Sequence, residues 1–177
     1  MQRLLSGYRQ FRAERWPRER ALYQALAAGQ TPRLLVIACS DSRVDPATIF
    51  AAEPGELFIL RNVANVVPPF VNDGGLHAAS AAIEFAVKKL AVRTILVMGH
   101  AACGGVTAAL AEERDDDSPF LAAWIDLLAP AKARCAHCTD ADPQTALERE
   151  NIKLSLERLM TFPFVAEAVA EGRLALE

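Results

Sequence analysis

Apolar positions along this chain follow two different rhythms. Leu4, Leu5, Tyr8 and Phe11 recur at helical spacing over residues 3–14, with Arg3, Arg9, Arg12 and Glu14 on the other faces. A helix that short is marginal alone in water, so it must dock on another surface. Pro17 suits the first turn of a second helix reaching about Ala28, where Gly29 supplies the stop. The rhythm then changes. Arg33-Leu34-Leu35-Val36-Ile37-Ala38, bounded by Pro32 and by polar Ser40-Asp41-Ser42, is read as the continuous apolar run of a strand buried on both faces of a parallel sheet. Leu57–Leu60 and Thr94–Met98 repeat that pattern. Between those two runs, Ala79, Ile83, Val87 and Leu90 return to helical spacing over residues 76–90. Helical patterns follow over about 105–113, 119–132, 144–160 and 163–171; Gly172 stops the last, and Arg173–Leu176 begins a short strand. Strands separated by helix-length segments predict an α/β fold. We expect a mostly parallel central sheet flanked by helices, with residues 1–30 as an N-terminal helical arm.

Length and composition narrow the class. A chain of 177 residues with 52% hydrophobic and 23% charged positions suits one globular domain and excludes disorder. Nineteen basic against 22 acidic residues leave a net charge of −3, which gives no electrostatic footprint for nucleic acid. No apolar run approaches the roughly 20 residues that span a bilayer, and Met1–Gly7 lacks the apolar core of a secretory signal. The expectation is a cytoplasmic chain with no membrane or nucleic-acid partner. Glu112–Asp117 reads as a solvated turn.

Four cysteines in such a chain point to metal or catalysis rather than disulfides. The first strand runs straight into Cys39-Ser40-Asp41-Ser42-Arg43, and the third into Gly99-His100-Ala101-Ala102-Cys103-Gly104-Gly105. Ligands in open α/β sheets bind outside the carboxyl ends of strands. If the two strands are neighbours, Cys39, His100 and Cys103 converge, and two thiolates with one imidazole suit a zinc ion with an open fourth position. The plainer alternative makes the two cysteines small buried apolar residues and His100 a strand-end histidine. A phosphatase-type loop is excluded, because three residues between Cys39 and Arg43 are too few. Gly99, Gly104 and Gly105 would let backbone pass close to the metal.

These two motifs resemble the β-class carbonic anhydrases, in wording closest to the plant-like branch. The likeness extends through Glu53–Phe58, Arg61–Asn65, Ala81–Ala86, Trp124, Leu127, Ser155-Leu156 and Thr161–Val165, covering roughly residues 16–176. It implies one zinc per chain held by Cys39, His100 and Cys103, with Asp41 orienting a zinc-bound hydroxide and Arg43 holding Asp41. It implies reversible hydration of carbon dioxide to bicarbonate and a proton. It also places Gln30, reaching across from a partner subunit, with Phe58, Val63, Phe85 and Gly104 around the substrate; many plant members carry Tyr where Phe85 stands. The plainer readings are core for the three apolar residues and a polar helix end for Gln30. A homo-oligomer, dimer or tetramer, is expected.

Related zinc hydrolases of carbonyl sulfide or carbon disulfide offer an alternative, as does a non-catalytic zinc protein, which the presence of Asp41 and Arg43 disfavours. In some members the aspartate matching Asp41 binds zinc and blocks it. Val36 stands where bacterial relatives with a bicarbonate-responsive pocket carry Trp, so no such switch is expected. Two departures stand out. Relatives continue past the segment matching Gly172–Leu176 into a further strand, so an edge strand is expected to be truncated here. Cys135-Ala136-His137-Cys138 adds a second thiol pair without a fourth ligand nearby, and reads as a surface loop or a regulatory dithiol.

Overall fold

The computed structural model describes residues 1–111, 118–135 and 142–177. The acidic run at 112–117 and the segment from Ala136 through Cys138 lie outside them. The chain opens with helix α1 (Gln2–Gln10), a wide π turn (Phe11–Arg15) and α2 (Trp16–Ala28). The two helices predicted on either side of Pro17 are therefore one rod. Pro17 cannot donate to the carbonyl one turn back and its ring crowds Ala13, and widening that turn relieves both without ending the helix. Phe11, Trp16 and Tyr23 pack their rings together along the rod, with Phe11 edge-on to Tyr23 at 6.0 Å.

Strand β1 (Leu34–Cys39) leads through the short helix α3 (Pro46–Ile49) to β2 (Leu57–Asn62). Asp45 caps α3, its carboxylate accepting from the Thr48 amide at 2.9 Å, and Pro46 fills the first helical position. The helix expected over 76–90 is α4 (Ala78–Glu84) finished by a π turn (Phe85–Lys89), and β3 (Thr94–Met98) follows. Next come α5 (Gly104–Leu110), α6 (Pro119–Ile125) and α7 (Ala129–Cys135). A 3-10 turn at Asp126–Leu128 splits the single helix predicted over 119–132, because Pro130 denies the following turn a backbone donor. Helices α8 (Pro143–Leu159) and α9 (Pro163–Ala170) precede the two-residue strand β4 (Ala175–Leu176). Among the described residues, no helix is long and apolar enough to cross a membrane.

The four strands are parallel, in the order β2-β1-β3-β4. The chain leaves β1 to one side for β2 and then returns to the other side for β3. The reversal opens a crevice at the carboxyl ends of β1 and β3. Leu35 and Ile37, paired with Phe58 and Leu60 on one side and Ile95 and Val97 on the other, face one core with Ile83, Phe162 and Val165. Burying each such side chain contributes about 1.5–3 kcal/mol, and Leu35, Val36 and Ile37 have no exposed surface. β2 departs from its prediction: every residue of it is only half-buried. Among the described residues it forms the sheet edge, with β1 as its one neighbouring strand.

A second core lies above the carboxyl ends, joining Val66, Cys103, Val106, Leu128, Leu147 and Leu154. There Ala64 and Asn65 take left-handed backbone angles (φ 61° and 46°), and α5 crosses the same loop so closely that a Cβ on Gly105 would stand 2.9 Å from both Ala64 Cβ and Val63 Cγ1. Gly104 has nothing within 4 Å of that position. Gly105→Ala is expected to destabilise the fold by about 1–3 kcal/mol, read as a lower urea midpoint, whereas Gly104→Ala leaves the midpoint unchanged or raised.

Candidate metal centre

Where β1 ends, the chain turns over the sheet's edge and is pinned from beneath. Arg61, on neighbouring β2, donates from Nε to the Cys39 carbonyl at 2.9 Å and from Nη2 to the Asp41 carbonyl at 2.6 Å. The Ser40 amide donates to the Asn62 carbonyl at 2.8 Å. The loop after β3 carries Ala102 in a left-handed conformation (φ 55°), uncommon for a residue with a side chain. Arg43 Nη2 ties that loop to the first turn by donating to the Ala102 carbonyl at 2.8 Å.

Three donors converge between the two loops. Cys39 Sγ and Cys103 Sγ lie 3.9 Å apart, and the ligand atoms of Cys39, His100 and Cys103 all fall within 4.8 Å of one another. Two sulfurs on a tetrahedral zinc with 2.3 Å bonds stand about 3.8 Å apart, so the spacing fits. His100 Nδ1 is 2.9 Å from the Ala101 carbonyl; donating there leaves the Nε2 lone pair free, and Nε2 is buried without a hydrogen-bond partner. Burial pushes the Cys103 thiol up from its ordinary value; a bound cation reverses that effect by pairing with the thiolate. The donor set therefore fits zinc better than it fits an apolar core.

Asp41 stands beside these ligands, its Oδ2 4.0 Å from His100 Nε2. Its carboxylate is gripped from one side. Oδ1 accepts from the Arg43 amide and from Nε, each at 2.9 Å, and Oδ2 accepts from Nη2 at 2.7 Å. Those hydrogen bonds from Arg43 hold the Asp41 carboxyl well below the usual carboxylate range.

The structure thus gathers Cys39, Asp41, Arg43, His100 and Cys103 into one place. Val63 is nearby: the carbonyl of Val63 accepts from Trp124 Nε1 at 2.9 Å, and its side chain lines an apolar cavity of about 410 Å³ with Phe120, Leu121 and Trp124. Gly104 opens α5 directly after Cys103. Gly99 and Gly105 accommodate Ile152 and the Val63–Ala64 loop rather than the ligand cluster. Three candidates stand apart within one chain. Phe58 pairs in register with Leu35, about 13 Å along β1 from Cys39, and Phe85 packs on it at 5.8 Å between ring centroids. Gln30 is exposed and precedes the amino end of β1, about 16 Å of strand from Cys39.

Sequence reasoning missed the backbone clamps. Arg61 gave no local signal, since its role exists only through strand pairing. Glu148 Oε1 accepts from the Cys103 amide at 2.9 Å, and Gln144 Nε2 donates to the Cys103 carbonyl at 3.1 Å. Their signal was a polar stripe along the predicted helix.

A parallel α/β sheet whose switch-point crevice gathers a Cys-His-Cys ligand set defines a metalloenzyme frame. Over residues 34–177 the sequence matches the family described as carbonic anhydrase. It is 40% identical over 185 residues to beta carbonic anhydrase 3 of Arabidopsis thaliana, covering 99% of this chain and 70% of that one. The solved β-carbonic anhydrase CcaA superposes with a TM-score of 0.90 at 34% identity, covering 99% of this chain and 80% of that chain. One of two tetrameric β-carbonic anhydrases of Sordaria macrospora does so at 0.82 and 31% identity, covering 99% and 88%. This chain belongs to the carbonic anhydrase family, in its β class of zinc-dependent carbonate dehydratases.

Elemental analysis is expected to find one zinc per chain. Cys39→Ser and Cys103→Ser each lose it, whereas the double change of Cys135 and Cys138 to Ser retains it. Metal lost only from that double variant would overturn the assignment.

Proposed function

We propose that this chain hydrates carbon dioxide reversibly to bicarbonate and a proton at a zinc site held by Cys39, His100 and Cys103. The observation that carries this reading is the partnerless His100 Nε2 facing two sulfurs 3.9 Å apart, beside a carboxylate already paired with Arg43. A zinc ion there would supply a Lewis acid that brings the pKa of water toward about 7. The chain's own groups do the rest. Asp41, kept ionised by Arg43, would accept a hydrogen bond from the attacking oxygen and so aim its lone pair at the carbon. Arg43 also holds Ala102, so the turn bearing Asp41 and the loop bearing His100 move together. Pairing with Arg43 keeps Asp41 off the metal and the fourth position open.

Carbon dioxide is small and apolar, so an apolar wall with one amide donor suffices to hold it. Val63 supplies wall from within the chain. Gln30, Phe58 and Phe85 are too far along the sheet to serve their own site, and in this reading they serve the site of a second copy. The exposed rod supports that reading. Leu4, Leu5 and Tyr8 are 66%, 48% and 62% exposed, a stripe that a second subunit would cover.

Zinc content and carbon dioxide hydration, measured on the same purified sample, test this reading together. Asp41→Asn is expected to keep its zinc and lose about 100-fold or more in kcat/KM. Crystals of the zinc-loaded protein at alkaline pH are expected to keep the Asp41–Arg43 pair; a direct bond of about 2.0–2.2 Å from Asp41 to zinc there would contradict the open site. Sedimentation is expected to show a dimer or larger, and Gln30→Ala to lower activity without lowering zinc content. A fully active monomer would refute the shared site.

A further inference from the structure

Helix α8 carries an unusual inward face. Gln144, Glu148, Asn151, Ser155 and Arg158 recur at intervals of four and three residues, which puts them on one side of the helix. A helix packed against a sheet normally turns an apolar stripe inward. Here the last four are buried: Glu148 is 8% exposed, Asn151 1%, Ser155 0% and Arg158 9%. Each is spent on the backbone of a loop. Asn151 Nδ2 donates to the Ala64 carbonyl at 2.7 Å, Ser155 Oγ accepts from the Val67 amide at 3.2 Å, and Arg158 donates to the Val67 and Leu127 carbonyls. The end nearer the metal centre does something more specific. Glu148 Oε1 accepts from the Cys103 amide at 2.9 Å and from Gln144 Nε2 at 2.7 Å, while Gln144 Nε2 also donates to the Cys103 carbonyl at 3.1 Å. Both backbone polar groups of a single residue, a metal ligand, are held by two side chains one helical turn apart.

We infer that Glu148, braced by Gln144, is a positioning residue of the metal centre that fixes the direction of the Cys103 sulfur. The inference rests on the zinc site proposed above. Cys103 follows Ala102, which is held left-handed, and opens α5, whose Thr107 donates from its amide at 3.0 Å and its hydroxyl at 3.2 Å to the Cys103 carbonyl, so its own stretch of chain braces the peptide unit after Cys103 but not the one before it. Without Glu148, the unit before Cys103 would be held by Arg43 at the Ala102 carbonyl alone and could rotate, swinging the Cys103 Cβ–Sγ bond. Clamping both units removes that freedom while touching no sulfur lone pair. The next turn of α8 adds a stop: Ile152 Cδ1 lies 2.7 Å from where a Cβ on Gly99 would stand, so the start of the same loop is pressed against the helix. Helix α8 therefore grips both ends of the segment that carries His100 and Cys103.

The test separates positioning from general support. Zinc affinity is measured by competition with a chelating dye, the absorption spectrum of the cobalt(II)-loaded protein reports ligand geometry, and the metal-free protein is melted thermally. Glu148→Ala is expected to weaken zinc binding by about 10- to 100-fold and to change the cobalt spectrum. Glu148→Gln, which keeps an acceptor oxygen at the same reach, restores both. Ser155→Ala, two turns along the same stripe, lowers the melting temperature while leaving affinity and spectrum as in the parent. If Glu148→Ala does not fold, Gln144→Leu takes its place with the same expected changes. Parent-like affinity and spectrum in the folded Glu148 or Gln144 variant would overturn the inference, as would equal losses in Ser155→Ala. Failure of the parent protein to bind zinc would instead sink the metal site itself.

Discussion

Two sulfurs held 3.9 Å apart inside a protein impose the main constraint on this molecule. As thiolates they repel one another by about 4 kcal/mol at an effective dielectric near 20, and burial adds to that cost. A cation between them reverses the sign, but only if the backbone delivers the donors to the same place beforehand. Apart from the grip of Arg43 on the Asp41 carboxylate, the clamps around the site act on backbone. Arg61 holds the carbonyls of Cys39 and Asp41, Arg43 holds that of Ala102, and Gln144 and Glu148 hold both polar groups of Cys103. These backbone clamps engage no ligand atom of the metal site. Parallel pairing of β1 with β3 makes this possible, because it brings two loops distant in sequence to one end of the sheet.

What was readable beforehand follows the same division. Three strands and most helices were legible from apolar patterning, since burial on both faces leaves a continuous apolar run and burial of one helix face leaves a period of 3.6. The ligands were legible because thiols and an imidazole at strand ends have few other uses in such a chain. Arg61 was not, because an arginine in a strand declares nothing until its neighbouring strand is known. Glu148 was half-legible: its stripe could be seen, but not that the stripe faces inward. The half-burial of β2 was also hidden, since its run Leu57–Leu60 reads like that of β1 and only the sheet order makes it an edge. Pro17 misled for a local reason, as a π turn lets a helix continue past a proline.

Length along the sheet has its own effect on the site. The ligands occupy the carboxyl edge of the strands, while Gln30 stands before the amino edge and Phe58 lies between. No rotamer change spans that separation. In the proposed reading a pocket that uses all of them is assembled between chains, so substrate binding would be coupled to association.

The rod formed by α1 and α2 bears on how that association proceeds. Residues 1–28 contain six arginines against two glutamates, while the whole chain carries a net −3, so a cationic arm projects from a distinctly anionic remainder. If two copies associate through this rod, as proposed, the arm of one would be attracted to the body of the other before any apolar surface meets, and the field would orient them as they approach. Salt screens that attraction beyond about 8 Å at physiological ionic strength. Encounter rate should therefore respond to ionic strength far more than the lifetime of the assembled pair, which apolar contacts at Leu4, Leu5 and Tyr8 would govern. Assembly speed and assembly strength are written in different residues of the same helix.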